Sequence, residues 1–211
     1  MIKNLQELRW LPVLVSCVAV AASLLAGCMK DGEDMLLLPV QNDRIPATVL
    51  SAAELDSLSQ YMDINEGNNP PNIAGIYEVS PVQLLYSTEG YYDNFYDFRM
   101  HVVSQNGRNL AVYRESQNAV TSDGIEAYVI GDGNLFTLYT IEKSVNIVDG
   151  WSCELTTIVS GRKTAEGIAD FRYAILLRNK QDDEGRLVAP DSFRIFTDGD
   201  GLASVTTTTL P

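Results

Sequence analysis

Residues 95–115 read FYDFRMHVVSQNGRNLAVYRE. Through 95–104 the side chains alternate, with Tyr96, Phe98, Met100 and Val102 on one side. A period of two is the mark of a strand with one buried face. Asn106-Gly107 then breaks the run. Both residue types tolerate positive φ, so the pair is a hairpin signal and residues 109–115 are the return strand.

The same pattern recurs along most of the chain. Residues 74–80 and 82–87 predict one long strand or two broken ones. Residues 125–130 and 135–142 predict a second hairpin around Gly131-Asp132-Gly133-Asn134. Residues 151–160 place Trp151, Cys153, Leu155, Thr157 and Val159 on one face, and residues 168–178 do the same with Phe171, Tyr173, Ile175 and Leu177. Residues 192–197 carry Phe193 and Ile195, and the threonine-rich tail 202–210 is placed to add a closing strand. About eight strands joined in series predict a mainly β fold, an antiparallel up-and-down barrel, with a β-sandwich as the alternative. A barrel removes the unpaired edges an open sheet exposes.

One helix is expected, over 52–62. Ser51-Ala52-Ala53-Glu54 is a capping box, in which the serine hydroxyl and the glutamate carboxylate each satisfy an orphan backbone donor. Leu55, Leu58 and Met62 share a face, and the turn cluster NEGNNPPN at 65–72 ends the helix. Residues 28–50 hold Gly32, Pro39, Pro46 and the apolar run Met35–Val40, and read as a flexible tether. Residues 51–211 then form a single domain.

The chain begins differently. Lys3 and Arg9 precede an apolar stretch over 11–26, the build of a secretory signal peptide spanning 1–27. Leu25-Ala26-Gly27-Cys28 resembles the lipobox of bacterial lipoproteins. That resemblance implies cleavage before Cys28 and a lipid on its sulfur, which anchors the chain to a membrane; no other cofactor is expected. Loss of Lys3, Arg9 and Glu7 takes the formal charge from −13 to −14. Such acidity argues against a nucleic-acid partner. Cys17 leaves with the signal, so Cys153 is the one free thiol and no intrachain disulfide is expected. Lys30-Asp31-Gly32-Glu33-Asp34 resembles the export signal of Bacteroidota surface lipoproteins and implies the outer membrane, at the cell surface. Within the domain, Gly75-Ile76-Tyr77 resembles the Gly-x-Trp opening of lipocalins and calycins, with Tyr77 in place of tryptophan. The stretches 70–77, 159–164 and 198–202 resemble a family of uncharacterised Bacteroidota lipoproteins. Together these imply a calycin-like lipoprotein and supply no activity.

Candidate chemistry is sparse. His101 is the one histidine, and alternation puts it on a charged face expected to be wet; Cys153 falls among Trp151 and Leu155, in the core. No catalytic residue is assigned. Asp198-Gly199-Asp200-Gly201 offers hard oxygen ligands and tight turning, so Asp198 and Asp200 are the candidate metal ligands. An EF-hand glutamate is missing, because Thr209 stands at the twelfth position, and a plain turn is the competing reading. Tyr91, Tyr92 and Asp93 are the candidate ligand-binding residues: flat apolar rings beside hydrogen-bonding groups suit a sugar or a peptide. Rings folded over a barrel's open end are the structural alternative.

The function expected from these features is a non-catalytic binding or accessory module for a glycan, a small apolar ligand or a partner protein. A carboxylate-based hydrolase and a pilus or envelope structural subunit are the alternatives. Binding predicts a roomy concave site lined by aromatics. Hydrolysis predicts two carboxyls roughly 5–9.5 Å apart in a cleft. Assembly predicts strand donation by Met35–Val40.

Overall fold

A computed structural model describes residues 43–90, 95–116, 119–146, 150–185 and 187–207. The architecture is mainly β and antiparallel. After a two-residue bridge β1 (Asn68–Asn69), the strands run β2 (Gly75–Val79), β3 (Val82–Ser87), β4 (Phe98–Asn106), β5 (Asn109–Ser116), β6 (Ala119–Asp132), β7 (Leu135–Asn146), β8 (Trp151–Lys163), β9 (Gly167–Gln181), β10 (Phe193–Asp198) and β11 (Leu202–Thr206). Sequential pairing gives β2-β4-β5-β6-β7-β8-β9, and β11 pairs with both β9 and β2. Eight strands therefore form a ring, barrel-like and up-and-down. The tail does supply the closing strand.

Two residues at each of two hairpin tips set the register. Asn106 pairs with Asn109, so the loop is Gly107-Arg108, and Gly107 has φ +60°. Asp132 pairs with Leu135, so the loop is Gly133-Asn134, with Gly133 at φ +66°. A glycine at the first loop position supplies the positive φ that such tight turns require.

The ring is not closed along its whole height. Strand β9 is long, and one edge of it is shared: Gly167, Ile168 and Ala169 pair with β11, while residues 172–176 pair with β10. Strands β2 and β3 are likewise two halves of one bent run, turning at Ser80-Pro81. The lower halves, β2 and β11, join the ring. The upper halves, β3 and β10, pair with each other and leave a gap between β3 and β4. This gap opens the ring at one end, termed here the mouth.

The other end is shut. The segment 65–73 crosses it, fixed by Asn65 N–H donating to Thr137 Oγ1, Asn69 N–H to Asp132 Oδ1 and Ile73 N–H to Gln105 Oε1. Ile73 and Tyr77 are fully buried there, and the Tyr77 hydroxyl donates to the Ile73 carbonyl at 2.9 Å. Burial pushes the Tyr77 phenol up to about 12. Lys163 lies over the ring, 5.5 Å from its centroid.

Two apolar cores result. The inner one holds the inward faces, including Phe98, Met100, Val102, Val159, Phe171 and Tyr173. The outer one lies between the ring wall and the N-terminal elements: Ile45, Val49, Leu50, Leu58 and Met62 pack against Ile130, Tyr139, Ile158 and Leu176. Its helix α1 (Ala52–Leu58) starts at the expected capping box, with the Ser51 N–H donating to Glu54 Oε2 and the Glu54 N–H to Ser51 Oγ. Burial lifts the Glu54 carboxyl, but hydrogen bonds from Ser51 and Arg178 outweigh it and hold it below its ordinary value. Arg178 also donates to the Val49 carbonyl, tying this layer to β9.

Four expectations need correction. The helix ends at Leu58 rather than at residue 62; Met62 is buried all the same, one turn beyond the helix end. Residues 43–50 belong to the body, since Ile45, Val49 and Leu50 sit in the outer core. Tyr96 precedes β4 and is 67% exposed instead of facing the inner core. His101 does point outward, in register between Ile76 and Tyr113, yet it is buried at 3% exposure. Outward does not mean wet on this wall: neighbouring Arg99 is also largely covered and pairs with Glu78 at 2.8 Å.

Candidate functional site

The inner core fills the closed end and stops short of the mouth. There, a cavity of about 470 Å³ remains, well within the ordinary range for small-molecule sites. Its walls come from strands that also build the core. β4 gives Phe98, β8 gives Leu155, and β9 gives Tyr173, Ile175 and Leu177. The gap side adds Val82, Phe95, Tyr96 and Phe196, and Leu187 and Val188 come from the β9–β10 connection. Aromatic rings meet in this wall: Phe95 and Phe196 stand edge to face at 4.8 Å, and Phe98 and Tyr173 lie 5.3 Å apart. Such contacts hold the wall in shape while leaving space in front of it.

Polar groups in the lining are few. Glu89, Ser192 and Arg194 line it, and Arg194 Nη2 meets Glu89 Oε2 at 2.8 Å. The guanidinium also lies over the Phe95 ring, 5.8 Å from its centroid. Arg194 reaches the lining because β10 alternates: Ile195 and Phe193 face the outer core, and Arg194 and Phe196 face the cavity. Sequence reasoning picked out Phe193 and Ile195 on this strand and missed Arg194. An arginine at inward parity on a core strand was the available signal.

The candidate ligand residues Tyr91, Tyr92 and Asp93 lie outside the described residues, as does Cys28. Their described neighbours Glu89, Phe95 and Tyr96 line the cavity. Among the described lining residues Glu89 is the single carboxylate, and it is ion-paired. The pair of carboxyls that glycoside hydrolysis requires is not assembled among them. Cys153 is buried, on the inward face of β8 as expected, and burial pushes its thiol up, away from the reactive thiolate.

Asp198 and Asp200 form a turn clamp. Asp198 Oδ2 accepts from Ser80 N–H at 2.9 Å, its Oδ1 accepts from Asp200 N–H at 3.1 Å, and Asp200 Oδ1 accepts from Leu202 N–H. The carboxylates are used in fixing the β10–β11 turn against the β2–β3 bend. Among the described residues no group of three or more histidines, cysteines and acids is placed to hold a metal.

Burial raises the Asp198 carboxyl to about 6, and its hydrogen bond with the Asp200 side chain adds to the rise. The folded state therefore holds a proton that the unfolded chain releases near pH 4. The associated stability is present below about pH 4 and is lost as pH rises through about 6. Asp200→Asn keeps an oxygen for the Leu202 N–H and removes the second carboxyl. Unfolding free energies of the two proteins should therefore diverge between pH 4 and 6 and run parallel above 7. Identical pH profiles would contradict this account.

Comparison with known proteins yields no relative: no family model, no curated protein and no solved structure matches the chain.

Proposed function

We propose that this chain is a lipid-anchored lipoprotein of the bacterial cell envelope, held at the outer membrane through Cys28, and that its β domain binds a small apolar ligand. The cavity at the mouth carries the reading: a ring packed solid would leave a ligand no room, and this one is packed at one end only. The mainly apolar lining favours an apolar ligand over a glycan, whose hydroxyls would lose more hydrogen bonds to water than these walls replace. The calycin-like, Bacteroidota-type reading goes with it, supported by Gly75-Ile76-Tyr77 opening the first ring strand at the closed end.

The test uses the chain carrying Cys28→Ser and a neutral solvatochromic dye such as Nile red. The dye should gain fluorescence, and Ile175→Trp, which fills the cavity, should weaken binding at least tenfold while the melting transition persists. Unchanged affinity in Ile175→Trp would place the dye elsewhere and defeat the reading. The anchor is tested separately. Cys28→Ser should move the protein from the membrane fraction to the soluble one, and continued retention would refute lipid attachment.

A further inference from the structure

A second cavity, of about 350 Å³, lies on the outside of the ring, and its lining is polar where that of the mouth is apolar. Its floor is the outward face of β8 and β9. Ile158 and Ala174 face outward into the outer core, so at the same parity Ser160, Arg162, Arg172 and Asp170 carry that face toward the closed end. Residues that follow α1, Tyr61 and Asp63 among them, form the rim.

The charges in this lining are committed unequally. Arg162 meets Asp170 at 3.1 Å. Arg172 meets no carboxylate among the described residues, although Arg99 and Arg178 in this acidic chain each have one. Its guanidinium is fixed all the same. Nη1 donates to the Phe171 carbonyl at 3.0 Å and to Thr197 Oγ1 at 2.7 Å. Both Nη1 hydrogens are thereby used. The Nε–H and Nη2–H remain, the parallel pair that grips a carboxylate side-on. A guanidinium fixed in advance loses little freedom when a ligand arrives. At the rim, Tyr61 stacks on Tyr86 with centroids 4.3 Å apart and is 37% exposed. It offers apolar ring surface in a set orientation. Asp63 is exposed and unpaired among the described residues, so its carboxylate is open to hydroxyl donors.

We propose that this outer cavity binds a sugar acid, a hydroxyl-rich ring bearing one carboxylate, with the carboxylate on Arg172 and the ring against Tyr61. A bare anion would gain one guanidinium and nothing more, since Arg162 is neutralised by Asp170 and Asp63 is itself negative. A neutral sugar would leave the Arg172 fork with neutral acceptors, and bonds to an ionised acceptor are about twice as strong. A sugar acid answers all three groups at once, its hydroxyls donating to Asp63. The inference concerns a different cavity from the mouth and does not rest on the apolar-ligand reading.

The experiment titrates the Cys28→Ser chain near neutral pH with glucuronate, galacturonate, the two parent hexoses and acetate, followed by ligand-observed NMR. At least one uronate should bind tenfold or more tighter than its hexose and than acetate. Arg172→Gln should remove that preference while the melting transition persists. Tyr61→Ala, at an exposed position the fold tolerates, should weaken uronate and hexose alike and leave their ratio unchanged. Neither uronate should displace Nile red. Equal binding of uronate and hexose, equal binding of uronate and acetate, or no binding of either uronate overturns the proposal. So does a uronate affinity unmoved in Tyr61→Ala or in a folded Arg172→Gln, and so does displacement of the dye, which would put the sugar in the mouth.

Discussion

Tyr77→Ala should destabilise the domain by about 4–5 kcal/mol, near the limit of what it can lose. Two losses combine. The ring is fully buried at the closed end, and its removal leaves a hole bounded by strands that cannot collapse inward. Its hydroxyl is also the partner of the Ile73 carbonyl, which would be stranded where water does not reach. Tyr77→Phe separates the two, because it keeps the volume and removes only the hydrogen bond. Its expected cost is about 1–3 kcal/mol. Urea titration of the three proteins gives both numbers. Equal stability of Tyr77→Phe and Tyr77→Ala would mean that packing at this end contributes nothing.

Gly167→Ala should be nearly as damaging, for a different reason. Gly167 pairs with Ser204 where β11 closes the ring. A Cβ there would lie 2.1 Å from the Ala203 carbonyl oxygen, and backbone cannot swing aside as a side-chain tip can. The strands must part to admit one methyl group, at a cost of about 3 kcal/mol, the upper end for overpacking. For a domain of this size that is a melting temperature lower by roughly 6–12 °C. Gly133→Ala is the control: Gly133 has nothing within 4 Å of its would-be Cβ, so only its positive φ is strained. If both substitutions cost the same, contact with β11 is not what matters at Gly167.

The inward faces were legible because alternation reports one-sided burial, and β4, β8 and β9 each bury Phe98, Val159 or Tyr173 at the expected parity. Alternation failed where both faces are covered. Ile158, Ala174 and Leu176 face outward under α1 and residues 45–50, so an outward position there carries no polar signature. His101 shows the same blindness on the opposite wall. Ile45, Val49 and Leu50 looked like tether because their partners lie on strands far away in sequence. The cavity was legible only in part, through Phe95, Tyr96 and Phe98 of the aromatic stretch. Phe98 and Phe171 are the same residue type on adjacent parts of one interior, and nothing local says that space remains in front of the first. Glu89 and Arg194 meet across a separation of 105 residues, which no motif spacing encodes.

The ring is completed by the pairing of Tyr77 with Val205, its first strand with its last. A chain is made from its N-terminus, so β2 must wait for nearly all of the domain to appear before its partner exists. Until then the edges of β2 and β9 stand bare, and intermediates with bare edges are the ones that pair with each other. Contacts so distant in sequence also slow folding, because the loop they close must be ordered before the contact rewards it. The last few residues of the domain thus decide when the protein becomes a closed object.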